Sequence, residues 1–312
     1  MDSQQSPSAK LDVYAIITNR IIELLEQGTV PWKKPWTDDG AGIPKNLLSK
    51  RPYRGINFWL LLSLNYQQNL FLTWDQIKTI GASVNKDEKG HVVVFWKSSH
   101  KHPEELDDKG NPKMVQTLRY YKVFNIAQCR DIPEGLFPKQ EVLSNDFDPI
   151  LECEAVIHTF PSCPEIQHKE QRAYYHITED YINMPKKKSF KTVASYYATL
   201  FHELVHSTGH EKRLGRSTVT DMHEFGSEAY SQEELIAEMG SAFLSSFTGI
   251  GVEELENSAA YINGWLQKLK DNKRFVVQAS AHAQKAVDLI LQVREQSDEK
   301  PKTDLKERTE NV

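Results

Sequence analysis

Cysteine is scarce in this chain: Cys129, Cys153 and Cys163 are the only three in 312 residues. An odd number at wide spacing supports neither a disulfide framework nor a zinc knuckle, so reduced thiols are expected. Long apolar runs are missing as well. The longest, Phe58 to Leu64, already contains Ser63 and falls far short of the ~20 residues that span a bilayer. Residues 1–10 are polar and hold no apolar signal core. No membrane partner is expected, and the expected location is cytoplasmic. No internal repeat is visible. Charge is unevenly spread: residues 1–140 hold 19 Lys+Arg against 15 Asp+Glu, and residues 141–312 hold 19 against 28. A mildly basic half beside an acidic half hints at different partners for the two.

What is present is enough apolar residue (39%) to build real cores over a length that suits two domains. Residues 11–27 carry Val13, Ile16, Ile17, Ile21, Leu24 and Leu25 at helical period, with Gly28 as the stop. Ile56 to Leu64 reads as helix, and Thr73 as the N-cap of another, with Trp74 leaning toward core. His91 to Trp96 and Leu118 to Ile126 are β-branched and aromatic runs, separated by a charged loop at 101–113. The turn-rich stretch 131–150 marks a domain boundary. Beyond it, helices are expected at 149–159, 192–208, 231–247 and 257–293, and one strand over Ala173 to Ile182. The charged tail from Gln296 is expected to be disordered.

The chemistry concentrates in Leu200-Phe201-His202-Glu203-Leu204-Val205-His206, an H-E-x-x-H run within a helical pattern. Residues i and i+4 share a helix face, so His202 and His206 can grip one metal ion. Glu203, rotated by roughly 100°, lies beside the ion and can act as a base toward water. Val193, Tyr197, Leu200, Leu204 and Thr208 would face a core, and Gly209 stands where a C-cap is expected.

Two histidines do not complete a catalytic zinc site, which usually takes three protein ligands. In the pattern H-E-x-x-H-x-x-G-x-x-H the third would stand at position 212, which is Lys212, and His210 comes two residues early. A later helix offers Glu234 and Glu238, four apart on one face. Similarity to glutamate-ligand zincins, with their E-x-x-A-[DE] runs, makes Glu234 the ligand and Glu238 the acceptor for a ligand histidine's other ring nitrogen. Ser231 to Glu234 equally fits a capping box, with Tyr230 and Leu235 as its staple, which would leave Glu238 as the ligand. Glu233 reads as a solvated surface charge. His210, Asp221, His223 and Glu224 lie in the following loop, and Tyr174, Tyr175 and His176 lie on the expected strand.

A second constellation sits near the N-terminus. Trp32, Lys33, Lys34 and Trp36, then Arg51, Tyr53, Arg54 and Asn57, interleave rings with cations in turn-rich segments. That mixture suits single-stranded nucleic acid, with rings stacking on bases and cations tracking phosphates. Core anchoring of the rings is the competing reading. The run G-T-V-P-W-x-x-P-W, then P-x-N, R-P-Y-R-G-I-N, W-x-Q-I-x-x-x-G-A and V-V-F-W resembles the N-terminal domain of ArdC-type antirestriction proteins. The later H-E-L-V-H-S-T-G-H and E-E-L-I-A-E runs resemble the zincin-like domain that follows it in that family. Some plasmid primases also carry the N-terminal domain.

The resemblance implies an α+β protein of two domains. A single-stranded-DNA-binding domain would occupy 10–138, a mainly helical zincin-like metallopeptidase domain with a small sheet 139–295, and a tail 296–312. It implies a plasmid- or phage-borne antirestriction protein with Zn2+ or another divalent metal on His202, His206 and Glu234, and Glu203 as base. Single-stranded DNA, duplex DNA more weakly, and a protein substrate are the implied partners. The alternative is protection by occupying DNA, with a structural or vestigial metal site.

Overall fold

The computed structural model describes residues 12–32, 42–100, 114–137, 148–221, 223–224, 226–250 and 259–293. The first helix, α1 (Val13–Glu26), starts at Asp12, whose carboxylate accepts from the Tyr14 and Ala15 amides at 3.0 and 3.3 Å. It buries Ile17, Ile21, Leu24 and Leu25, and ends before Gly28 at a φ of 77°. There follow β1 (Lys45–Asn46), α2 (Ile56–Leu62), β2 (Leu70–Thr73), α3 (Trp74–Thr79), β3 (Ser83–Val84), β4 (His91–His100), β5 (Met114–Asn125) and β6 (Cys129–Arg130). The larger sheet has the order β1-β2-β5-β4, and β4 pairs with β5 from His91↔Val123 to His100↔Met114. A capping box between Thr73 and Gln76 fixes the start of α3. Trp74 is exposed, a correction to its expected core place, because the first turn of α3 points it outward over Phe124.

The second half holds α4 (Pro149–Thr159), β7 (Glu165–Gln167), β8 (Tyr174–His176), β9 (Tyr181–Asn183), α5 (Val193–Ser207), α6 (Ser217–Thr220), α7 (Glu228–Thr248), α8 (Ala259–Asp271) and α9 (Phe275–Ile290). The single strand expected at 173–182 is two short antiparallel strands, because the chain turns at Asp180 with a φ of 52°. With β7 they form a sheet of order β7-β9-β8. The loop 101–113, the stretch 138–147 and the charged tail lie outside the described residues.

Two contacts set how α5 lies against α7. Gly240 allows close approach, since a Cβ there would fall 2.6 Å from Val205 Cγ2. Ser241 Oγ donates to the Ala198 carbonyl at 2.7 Å. The main core joins these helices to α9 and also to α1 and α2, so it runs straight across the sequence position expected to divide the domains. Thr18 Oγ1 donates to the Lys273 carbonyl at 2.6 Å, the Gly55 amide donates to Gln284 Oε1 at 2.9 Å, and Arg54 pairs with Asp288. Among the described residues no helix is long and apolar enough to cross a membrane.

Candidate metal centre

Helix α5 is started by a reciprocal cap, in which Thr192 Oγ1 accepts from the Ser195 amide at 3.1 Å and Ser195 Oγ accepts from the Thr192 amide at 3.3 Å. Tyr197, Leu200 and Leu204 bury one face. Val193 does not join them: it is exposed, because it sits at the first turn beyond the end of the core stripe. One turn apart on another face, His202 and His206 bring their Nε2 atoms to 3.1 Å. From α7, Glu234 places Oε2 at 3.5 Å from His202 Nε2 and Oε1 at 3.8 Å from His206 Nε2. One ligand atom from each of the three lies within 4.8 Å of the others. Donors on a tetrahedral ion with bonds of ~2.1 Å stand about 3.4 Å apart, so the spacing fits, as does the mixed imidazole and carboxylate chemistry.

The partner that orients His206 is Glu233. Its Oε1 accepts from His206 Nδ1 at 3.1 Å, which fixes the tautomer and leaves the Nε2 lone pair for an ion. Glu233 also accepts from Arg216 Nε at 3.0 Å and Thr218 Oγ1 at 2.6 Å. Burial alone would raise its pKa, but the hydrogen bonds from His206 and Arg216 outweigh burial and hold it down to about 2. The expected solvated charge is therefore a buried, fully bonded one. Ser227 caps α7, four residues before Ser231, and within that helix Glu233 faces α5 instead of solvent. The same start removes the Ser231 capping box, since Ser231 is buried within the helix.

Arg216 ties this cluster to the end of α5. Its Nη2 donates to the Val205 carbonyl at 2.9 Å, and its Nη1 to Thr208 Oγ1. Gly209 serves this packing and not the expected C-cap. Thr208 caps the helix, and a Cβ on Gly209 would fall 2.4 Å from Val219 Cγ2. Burial lowers the pKa of His206, but Glu233, Glu203 and Glu234 outweigh it and push the pKa up. The same carboxylates attract a cation, which must displace any proton on Nε2 to bind there. Glu203 is 7% exposed. Burial first, then the Glu234 charge, raise the pKa of Tyr230 on α7 to about 12.

Glu238 is elsewhere. It accepts from Trp32 Nε1 at 3.0 Å and from the Tyr261 hydroxyl. The acceptor of His206 is Glu233, and the converging set is His202, His206 and Glu234, with Glu238 a helical turn further along α7. In the following loop, His210 is buried and its Nδ1 accepts from the Lys212 amide at 3.1 Å, while Asp221, His223 and Glu224 are exposed. His176 stacks on Tyr181 with ring centroids 5.0 Å apart.

The N-terminal candidates are mostly committed to structure. Trp32 is only 2% exposed, against Trp265 and Glu238, and Tyr53 only 8%, against Phe71. Asn57 spends its amide on the edge strand, donating to the Val94 carbonyl and accepting from its amide, both at 2.7 Å. Arg54 is paired with Asp288. Burial takes the Trp32 and Tyr53 rings out of reach of bases, and internal bonding uses the Asn57 amide, while Arg54 stays exposed beside Asp288. Arg51 is exposed. Lys33, Lys34 and Trp36 lie outside the described residues.

Residues 154–282 match the family model of zincin-like metallopeptidases, and residues 11–124 match that of the N-terminal domain of anti-restriction factor ArdC. The metal-free crystal structure of the antirestriction protein ArdC from plasmid R388 aligns with a TM-score of 0.69 at 35% identity, covering 90% of this chain and 97% of that one. This chain belongs to the ArdC family of antirestriction proteins. The Mn(II)-bound form of R388 ArdC aligns with a TM-score of 0.71 at 34% identity, covering 90% and 98%. An uncharacterized protein of Sinorhizobium fredii, y4eC, is 31% identical over 92% of this chain and 94% of its own length. The DNA primase TraC of Escherichia coli is 34% identical over 90% of this chain, but the match spans only 20% of the primase. The ArdC architecture accounts for both halves, the N-terminal domain and the zincin-like one that carries His202, Glu203, His206 and Glu234.

Proposed function

We propose that this ArdC-type protein hydrolyses peptide bonds at the His202–His206–Glu234 centre and binds single-stranded DNA through its N-terminal half in the cytoplasm. The peptidase reading is carried by one observation: three ligand atoms, and among the described residues no fourth, converge next to a separate carboxylate, Glu203, whose charge acts on His206. A structural zinc site closes with four protein ligands and has no use for a base. Zinc, or manganese as in the R388 protein, would when bound polarise the scissile carbonyl and let water attack near neutral pH. Glu203 takes a proton from the attacking water as its oxygen bonds to the carbonyl carbon. It returns that proton to the amide nitrogen as the C–N bond breaks. Glu233 and Arg216 keep His206 in one orientation throughout. A peptide-cleavage screen with metal-loaded protein tests this; the absence of any chelator-sensitive cleavage contradicts it.

The DNA reading moves to the β4–β5 pair. On one face of it, Phe95, Lys97, Arg119 and Tyr121 stand together, Phe95 directly opposite Arg119 and Lys97 opposite Thr117. Tyr121 is 36% exposed, its ring 5.8 Å from that of Phe95, and Lys97 and Arg119 are exposed. Unpaired bases stack on such rings, which favours single strands over duplex. Tyr121→Ala is expected to weaken binding of labelled oligo-dT by about 1–3 kcal/mol, and Arg119→Ala to reduce the salt dependence as well. Fluorescence anisotropy across a salt series checks both. Wild-type affinity in the two variants would remove this face from the interface.

A further inference from the structure

We propose that the zincin-like half carries a DNA contact of its own: a patch of exposed cations on the loops before α5 that takes the phosphate backbone. The inference rests on the reading of this protein as a DNA binder, but not on the β4–β5 face. Two loops form the patch, residues 168–172 after β7 and 184–191 after β9. They hold Lys169, Arg172, Lys186, Lys187, Lys188 and Lys191 against one acid, Glu170. That concentration stands in a half where acids outnumber bases 28 to 19, so it is not the general character of this surface.

The two loops are fixed to each other. Asn183, fully buried at the end of β9, accepts from the Lys169 and Glu170 amides at 3.0 and 3.2 Å. Its Nδ2 donates back to the Glu170 carbonyl at 3.2 Å. His168 Nδ1 donates to the Met184 carbonyl at 3.0 Å, and Ser189 Oγ to Gln171 Oε1 at 3.1 Å. Lys187 anchors the second loop: its Nζ donates to Glu154 Oε1 and to the Tyr197 hydroxyl, both at 2.9 Å. The other cations are not used in this way. Lys169, Arg172, Lys186, Lys188 and Lys191 are exposed, and among the described residues none of them has an ion-pair partner. Like charges held together on fixed loops repel one another and attract a polyanion that neutralises them.

The residue types select the partner. Protein–protein interfaces are built on aromatic and arginine anchors and are poor in lysine. Here four of the five unpaired cations are lysines, each a point charge on a flexible stem. The nearby Tyr181 ring is already engaged, by His176 stacked at 5.0 Å and by Lys169 Nζ at 5.7 Å. The patch therefore suits phosphates and not bases. Binding of that kind comes from counterion release and carries no sequence information.

The test uses the full chain with Lys186→Ala/Lys188→Ala/Lys191→Ala. A control, Lys212→Ala/Lys273→Ala/Lys285→Ala, removes the same charge from exposed positions on other elements. A third variant, Lys186→Arg/Lys188→Arg/Lys191→Arg, keeps the charge. Anisotropy of labelled oligo-dT and of a labelled duplex is read across a salt series, and poly-glutamate is titrated in parallel. The first variant is expected to weaken both DNAs about 10- to 100-fold at about 0.1 M salt. The slope of log affinity against log salt is expected to fall by about 2 for oligo-dT and about 3 for duplex, as three phosphate contacts are lost. The control and the arginine variant are expected to bind as the wild type does. Unchanged affinity and slope in the first variant, while Tyr121→Ala weakens oligo-dT, would overturn the proposal and leave the DNA reading intact. An equal loss in the control would reduce the effect to net charge and overturn it too. So would a loss of poly-glutamate binding with DNA binding unchanged, which would make the partner an acidic polypeptide. A wild type that binds neither DNA would end both the proposal and the DNA reading.

Discussion

Arg216→Ala is expected to destabilise the protein by about 3–5 kcal/mol, the usual cost of stripping one partner from a buried ion pair. Arg216 is 5% exposed, so solvent cannot replace what it gives. Its loss leaves Glu233 buried with hydrogen bonds from His206 and Thr218 but without its cation. It also strips the Val205 carbonyl and Thr208 Oγ1 of a donor at the end of α5. Urea unfolding of metal-free protein measures the effect, as a lower midpoint at unchanged slope. A loss below about 1 kcal/mol would mean that water already reaches Glu233 and that His206 is not held as described.

Glu203→Gln is expected to lower metal-dependent peptide cleavage about 10²–10⁴-fold, roughly 3–5 kcal/mol of barrier. Glutamine keeps the size of the side chain but cannot take a proton. Metal affinity and DNA binding are expected to stay at wild-type levels, because Glu203 is not among the converging ligands and lies on a different element from the β4–β5 face. Cleavage assays with equal metal loading check this. Cleavage within about threefold of wild type would assign the base to another group. The same variant separates two routes to antirestriction. Survival of transferred DNA in a restricting host is expected to drop with Tyr121→Ala and Arg119→Ala but not with Glu203→Gln if protection works by occupying DNA.

Much of this arrangement is written in local sequence. The spacing of His202 and His206 places both on one helical face, and Gly28, Thr73 and Pro149 mark element ends by backbone chemistry alone. What stayed hidden depends on where α7 starts and what lies across from it. With α7 capped at Ser227, Glu233 faces inward, and nothing within E-E-L-I-A-E distinguishes Glu233 from a surface acid without Arg216, 17 residues earlier in sequence. Trp32 and Tyr53 read as nucleic-acid rings because turn-rich, cation-flanked segments look exposed. Burial came from partners far along the chain, such as Glu238 and Trp265. The exposed ring–cation mixture on β4 and β5 is spread over paired strands 24 residues apart at Phe95 and Arg119, and only the register brings it together.

His202, His206 and Glu234 are expected together to hold a divalent ion. Calorimetric titration of zinc and of manganese into metal-free protein tests this most directly, in the wild type, Glu234→Ala, Glu238→Ala and the His202→Ala/His206→Ala pair. One ion per chain is predicted for the wild type and for Glu238→Ala with similar affinity, a marked loss for Glu234→Ala, and no specific binding for the double histidine variant. Full binding by the double variant, or a greater loss for Glu238→Ala than for Glu234→Ala, would contradict the account.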